Sequence, residues 1–210
     1  MKKIYGALLS RAGRTNWTAH ECALDVEHVH VATRVPVEEK PADFMAIHPP
    51  GTMQVYQDDD FIMTESWAIN LYLARKYQPD LMGADLEEEG KVYQWTLFAA
   101  TDLEKTAHEC INHSGFDEAH PLDEEKFEAA KKQFRHVLAT VDKALQGREY
   151  LVGDTFTLAD LHVACLIAFP VLSSIPRDDY KNIKPWLQKC TRRPAFAKSL
   201  PPEILPMVQG

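Results

Sequence analysis

Thr64-Glu65-Ser66 follows a short apolar run and opens a segment with helical spacing, which concentrates polar chemistry at one helix start. Such a start presents unpaired N–H groups and the positive end of the helix dipole, so it suits a carboxylate. Ser66 adds a hydroxyl donor, and Glu65 can accept from an ammonium. The plainer alternative is that Thr64 and Ser66 cap the helix while Glu65 favours the dipole. Thr157-Leu158-Ala159-Asp160 is a second polar constellation. Thr157 is a natural N-cap, Asp160 can bond back to its backbone N–H, and Phe156 with Leu161 forms a hydrophobic staple. That pattern serves structure, not catalysis. Nine histidines raise the question of a metal, but no spacing is clean. His28 and His30 could share a strand face; His108 and His113 diverge around a helix and Cys110 faces away from them. No metal is expected.

These groups need elements to hold them. The run from Lys3 to Leu9 has a β-permissive start, Arg14 to Leu24 has helical spacing, and Val26 to Val35 alternates as a strand. Ala42 to Ile47 reads as a short helix stopped by Pro49-Pro50-Gly51. Thr52 to Tyr56 and Phe61 to Met63 make a hairpin around Gln57–Asp60, and Thr64 then caps a helix over Glu65 to Tyr77. The order β-α-β-α-β-β-α predicts a small sheet with helices on its faces. After a linker over 79–85 no strand is convincing. A long helix from near Asp85 past His108, a second over Asp123 to Leu145, and an apolar, buried one from Thr157 follow, with one or two short helices over Tyr180 to Leu200.

Composition sets limits on partners and compartment. A formal charge of −8 repels nucleic acid and anionic lipid as a whole, so an anionic ligand needs a local cationic pocket. The apolar stretch near the N-terminus is too short for a signal-peptide core, and nothing reaches the length of a transmembrane helix. The four cysteines form no CxxC and no disulfide framework, which predicts buried thiols in a reducing compartment, the cytoplasm.

Several segments together resemble one family. Gly153-Asp154-Thr155-Phe156-Thr157-Leu158-Ala159-Asp160 is similar to the start of the buried core helix of cytosolic glutathione transferases. Thr64 to Ala74 resembles that family's "TES-x-AI-x-x-YLA" segment. Ser10-Arg11-Ala12-Gly13-Arg14 resembles the serine-x-x-x-arginine start of its theta- and delta-like classes, and His48-Pro49-Pro50-Gly51 sits at its "NPxG". The resemblance implies a thioredoxin-like α/β domain over residues 1–78, a linker over 79–85 and an all-α domain over 86–210. It further implies a homodimer that uses glutathione as co-substrate, with no metal, and conjugates it to a small hydrophobic electrophile.

Site roles carry over residue by residue. Ser10 would donate its hydroxyl to the glutathione sulfur and favour the nucleophilic thiolate. Lowering a thiol pKa by about two units corresponds to roughly 2.7 kcal/mol. Glu65 and Ser66 would hold the γ-glutamyl end. Lys40, or His48 in its place, would meet the glycine carboxylate. Met53 stands where the family bonds the cysteinyl part through its backbone, and Gln54 stands where the family has a cis-proline. Tyr5 is a rival hydroxyl, placed instead in the core of the first strand. Trp95, Phe98 and Thr101 are candidates for the electrophile's surroundings. The competing reading is a non-catalytic relative that kept the fold as an interaction module, with Gln54 as its main argument. A peroxidase or thiol reductase is weaker, because no cysteine lies near the end of the first strand.

Overall fold

The computed structural model describes residues 1–33, 35–52, 54–116, 118–169, 172, 175 and 179–209. The chain divides into two compact units. The first comprises Met1–Leu81 with Pro194–Glu203, and the second comprises Met82–Arg193 with Ile204–Gly210.

In the first unit β1 (Lys2–Tyr5), β2 (Glu27–Val29), β3 (Val55–Asp58) and β4 (Phe61–Thr64) form one sheet in the order β2-β1-β3-β4. β1 runs parallel to β2 and antiparallel to β3, and β3–β4 is a hairpin. Ile4 and Tyr5 point to opposite faces by strand alternation, and both are buried, so the sheet is covered on both sides. The helix α2 (Ala42–Ile47) packs Phe44, Met45 and Ile47 against Tyr5, Val29 and Val55. The helices α1 (Arg11–Glu21) and α3 (Ser66–Tyr77) pack on each other, burying Trp17, Ile69 and Leu73.

Three local expectations change. β1 stops at Tyr5, short of the run to Leu9, because Gly6, at φ 136°, turns the chain away, and α1 starts at Arg11, ahead of Arg14, with Ser10 as its cap. β2 is shorter than the alternating run, since only Lys3–Tyr5 of β1 are there to pair with it. Thr64 is the last residue of β4 and not a cap; Glu65 occupies the N-cap position of α3 without a side-chain bond.

The helix α9 (Pro194–Lys198) belongs to the first unit, although in sequence it reads as part of the helical tail. Phe196 meets Trp17 edge-on with ring centroids 4.7 Å apart. Gly13 of α1 lets this region close up: a Cβ there would lie 2.2 Å from the Leu8 carbonyl oxygen.

The second unit contains α4 (Leu86–Phe98) and α5 (Glu104–Asn112), joined by a π turn over Ala99–Leu103 into the long helical run that the spacing predicts. α6 (Glu124–Ala144), α7 (Leu158–Ile167), α8 (Ile183–Thr191) and α10 (Leu205–Gln209) complete it. Nine of the ten residues of α7 are buried, as its all-round apolar sequence requires. Its capping box is present: Asp160 Oδ2 accepts from the Thr157 backbone N–H at 3.0 Å. The same carboxylate's Oδ1 accepts from Leu151 N at 2.9 Å and from Trp186 Nε1 at 2.8 Å, so one buried group ties three segments together. No described helix is long and apolar enough to cross a membrane.

Candidate functional site

The start of α3 is built from an abrupt turn. β4 ends at Thr64, and Glu65 bends the chain with φ 69° and ψ 101°, a region that costs a non-glycine residue about 1–3 kcal/mol. The result puts Glu65 in solvent and Ser66 under the surface at 1% exposure. Ser66 Oγ has no hydrogen-bond partner within the protein. A buried hydroxyl left without a partner costs about 1–3 kcal/mol, which makes Ser66 Oγ a candidate contact for a ligand. Around it stand the free N–H groups of the first helical turn and the positive end of the dipole. An exposed carboxylate and a buried hydroxyl donor thus sit side by side. The neighbouring residue, Trp67, lies under the Arg14 guanidinium, 3.9 Å from ring centroid to Cζ. Arg14 is itself buried at 6% exposure, so α1 contributes a cation next to the first turn of α3. Trp67 was not singled out from sequence; nothing in its spacing distinguishes it from a surface aromatic.

Ser10 sits at the N-cap of α1, where its Oγ accepts from Ala12 N at 3.2 Å and donates to the Ala7 carbonyl at 2.6 Å. Its single proton is therefore turned toward the backbone in the ligand-free chain. The rival hydroxyl of Tyr5 donates to Gln57 Oε1 at 2.7 Å, and burial pushes its pKa above the usual phenol value. Both observations assign Tyr5 to the core of the sheet.

Lys40 and His48 lie on either side of α2, and both reach the loop that follows it. Lys40 Nζ donates to the Gly51 carbonyl at 2.5 Å, and His48 Nε2 pairs with Thr52 Oγ1 at 2.7 Å. Gly51 takes φ 65° at the bend, packed against Val37 and Met45. Met53 lies outside the described residues. Gln54 is buried at 4% exposure and holds φ 68°, one of four non-glycine residues with positive φ among the described residues of this unit, with Ala23, Asp59 and Glu65. Ala23 and Asp59 lie in turns, whereas Gln54 and Glu65 flank the β3–β4 hairpin.

In the helical unit Trp95 meets Phe98 edge-on at 5.2 Å and lines a cavity of about 360 Å³ with Leu151, Val152, Lys91 and Arg148. Thr101 is exposed and its hydroxyl bonds Asp102. Among the described residues no group of three histidine, cysteine or carboxylate side chains comes together to hold a metal. None of the four cysteines is in a disulfide, and burial pushes the thiols of Cys22 and Cys110 up to about 12.

Comparison with known proteins gives a consistent pattern. The family model "Glutathione S-transferase, N-terminal domain" matches residues 2–75, and "Glutathione S-transferase, C-terminal domain" matches residues 106–194. The chain is 30% identical over 201 residues to glutathione S-transferase F10 of Arabidopsis thaliana, covering 92% of this chain and 93% of that protein. It is 27% identical over 194 residues to human elongation factor 1-gamma, covering 86% of this chain and 43% of that protein. A solved structure of glutathione S-transferase-I bound with lactoylglutathione superposes with a TM-score of 0.80 at 25% identity, covering 98% and 99% of the two chains.

Proposed function

Because the chain belongs to the glutathione S-transferase family, we propose that it binds reduced glutathione in its first unit and transfers it to a hydrophobic electrophile. The observation that carries this reading is the buried, unpartnered Ser66 hydroxyl at the N-terminus of α3, beside the exposed Glu65. The γ-glutamyl end of glutathione has one carboxylate and one ammonium. The carboxylate takes the Ser66 hydroxyl and the helix N–H groups, and the ammonium takes Glu65. At the other end the glycine carboxylate meets Lys40, whose ammonium keeps two further protons beyond the one given to Gly51. His48 is the less suited partner, because its Nε2 is already engaged by Thr52. Met53 and Gln54 supply backbone groups to the cysteinyl part.

The thiol must lose its proton before it can act. Ser10 rotates its hydroxyl from the Ala7 carbonyl to the sulfur, and the first turn of α1 adds positive potential, so the thiolate is favoured and the thiol proton passes to solvent water. The sulfur then provides the electron pair of the new carbon–sulfur bond. In a substitution the leaving group departs with its own pair. Trp95, Phe98 and Thr101 are the proposed surroundings of the electrophile. The assembly is a homodimer in the reducing cytoplasm. Leu86, Tyr93 and Leu97, exposed at helical spacing along α4, provide an apolar stripe for the partner copy.

Replacing Ser10 by alanine tests the chemistry. Turnover of chlorodinitrobenzene should fall roughly tenfold or more, while glutathione still binds. The lost N-cap costs about 1 kcal/mol of stability, which a urea titration measures separately. Unchanged turnover would remove Ser10 from the reaction. The similarity to elongation factor 1-gamma favours a second reading, a non-catalytic interaction module. That reading predicts no turnover with any electrophile, whatever stands at position 10.

A further inference from the structure

The loop that carries Ser10 is held by a residue outside the glutathione contacts. Gly6 follows β1 with φ 136°, a conformation with no Cβ to bar rotation of the Gly6–Ala7 peptide. Its N–H donates to the Val29 carbonyl at 3.0 Å. Its carbonyl oxygen lies 2.6 Å from Nε2 of His28, on the neighbouring strand β2. A carbonyl oxygen only accepts, so His28 carries its proton on Nε2 and donates. One residue further on, the Ala7 carbonyl accepts both the backbone N–H of Ser10, at 3.1 Å, and its hydroxyl, at 2.6 Å. The Ala7 carbonyl belongs to the next peptide, joined to the Gly6–Ala7 peptide at the Ala7 Cα, so the place of that carbonyl and of the Ser10 backbone anchored on it follows the Gly6–Ala7 peptide. Leu8 adds a fixed point downstream, because its carbonyl is pressed against Gly13 of α1. Between the sheet and that point, among the described residues, His28 is the side chain that bonds this peptide.

We propose that His28 is a positioning residue for the transfer reaction: through the Gly6 carbonyl it fixes the loop that aims the Ser10 hydroxyl. The inference rests on the reading of Ser10 as the thiolate donor. Without the His28 bond the Gly6–Ala7 peptide turns more freely, the Ala7 carbonyl that anchors the Ser10 backbone N–H shifts, Ser10 Oγ spends less time within reach of the sulfur, and the bound thiol becomes less acidic. Glutathione's two ends are held elsewhere, so its affinity is spared.

The test compares wild type with His28→Leu, which removes the donor at similar bulk, and His28→Gln, which keeps an N–H of similar reach. Three quantities are measured: glutathione affinity by calorimetry, kcat and KM with chlorodinitrobenzene, and the pH titration of the bound thiol followed by the ultraviolet absorbance of the thiolate. His28→Leu should raise the bound thiol's pKa and lower kcat roughly tenfold near neutral pH, a factor that matches about one pKa unit. KM for glutathione should stay within about twofold, since that binding is made elsewhere. His28→Gln should recover most of both effects. A His28→Leu enzyme with wild-type kcat and thiol titration overturns the proposal. So does a loss that His28→Gln shares in full, tracking a lowered urea midpoint, which would make His28 a fold residue. A wild-type protein that binds glutathione but shows no thiol shift overturns the proposal through Ser10, and one that binds no glutathione overturns the functional reading with it.

Discussion

Glu65 is exposed and holds a left-handed conformation that glycine would adopt without strain, as Ala23 and Asp59 do in turns of the same unit. What sets Glu65 apart from those two turns is the buried Ser66 that follows it at the start of α3. Replacing Glu65 by glycine therefore separates the two roles. The variant should unfold at higher urea concentration, by about 1 kcal/mol, and bind glutathione more weakly. If the turn were only structural, stability would rise and affinity would stay. At this scale the motif drew attention to Glu65 and Ser66, which the structure places exposed and buried at the start of α3. It was silent on where the Ser10 proton points, because that depends on the Ala7 carbonyl and on a peptide clamped from another strand. His28 drew notice only as a conceivable metal ligand; its bond to Gly6 spans 22 positions and leaves no local pattern.

Elements were legible wherever their signals are local. The span of α2 was read without error, that of α6 within one residue at each end, and the capping box of Thr157 and Asp160 came directly from residue types. Strand ends were less so, because they are set by partners: β2 ends where β1 ends, and Thr64 is claimed by the β3–β4 ladder before it can cap α3. The return of α9 to the first unit was hidden for the same reason, since it depends on Trp17 meeting Phe196. That contact between α1 and α9 has a pH consequence. His20 of α1 has its pKa pushed below the usual histidine value, first by burial and then by the nearby Lys198 charge on α9. The folded chain then binds this proton less tightly than the unfolded chain. Stability from this group is fully present above the unfolded value near 6.5 and is lost as pH falls through it. Urea titrations between about pH 7.5 and about pH 5 should show falling stability, and His20→Gln should make that fall shallower. An identical slope in the variant would mean that other groups carry the acid sensitivity.

For the whole molecule, the family and its two-part fold follow from motifs spread along the chain, and both family models match it. What the fold leaves open is whether it is used for chemistry, since a 27% identical relative bears the name elongation factor 1-gamma. The helical unit offers little to decide this from sequence, because most of its pattern builds core: Phe134, Leu138, Leu158 and Ile167 are fully buried. The electrophile is therefore the least legible part of the account. Glutathione binding, in contrast, is tied to named atoms. The measurement that reaches it most directly is calorimetric titration of the intact protein, and of its Ser66→Ala variant, with reduced glutathione. Wild type should bind one glutathione per chain at micromolar to low millimolar affinity, and Ser66→Ala should bind roughly tenfold more weakly, the loss of one hydrogen bond to a charged group. Heat that does not saturate, with no thermal stabilisation by millimolar glutathione, would contradict the account, as would a Ser66→Ala variant that binds as tightly as wild type.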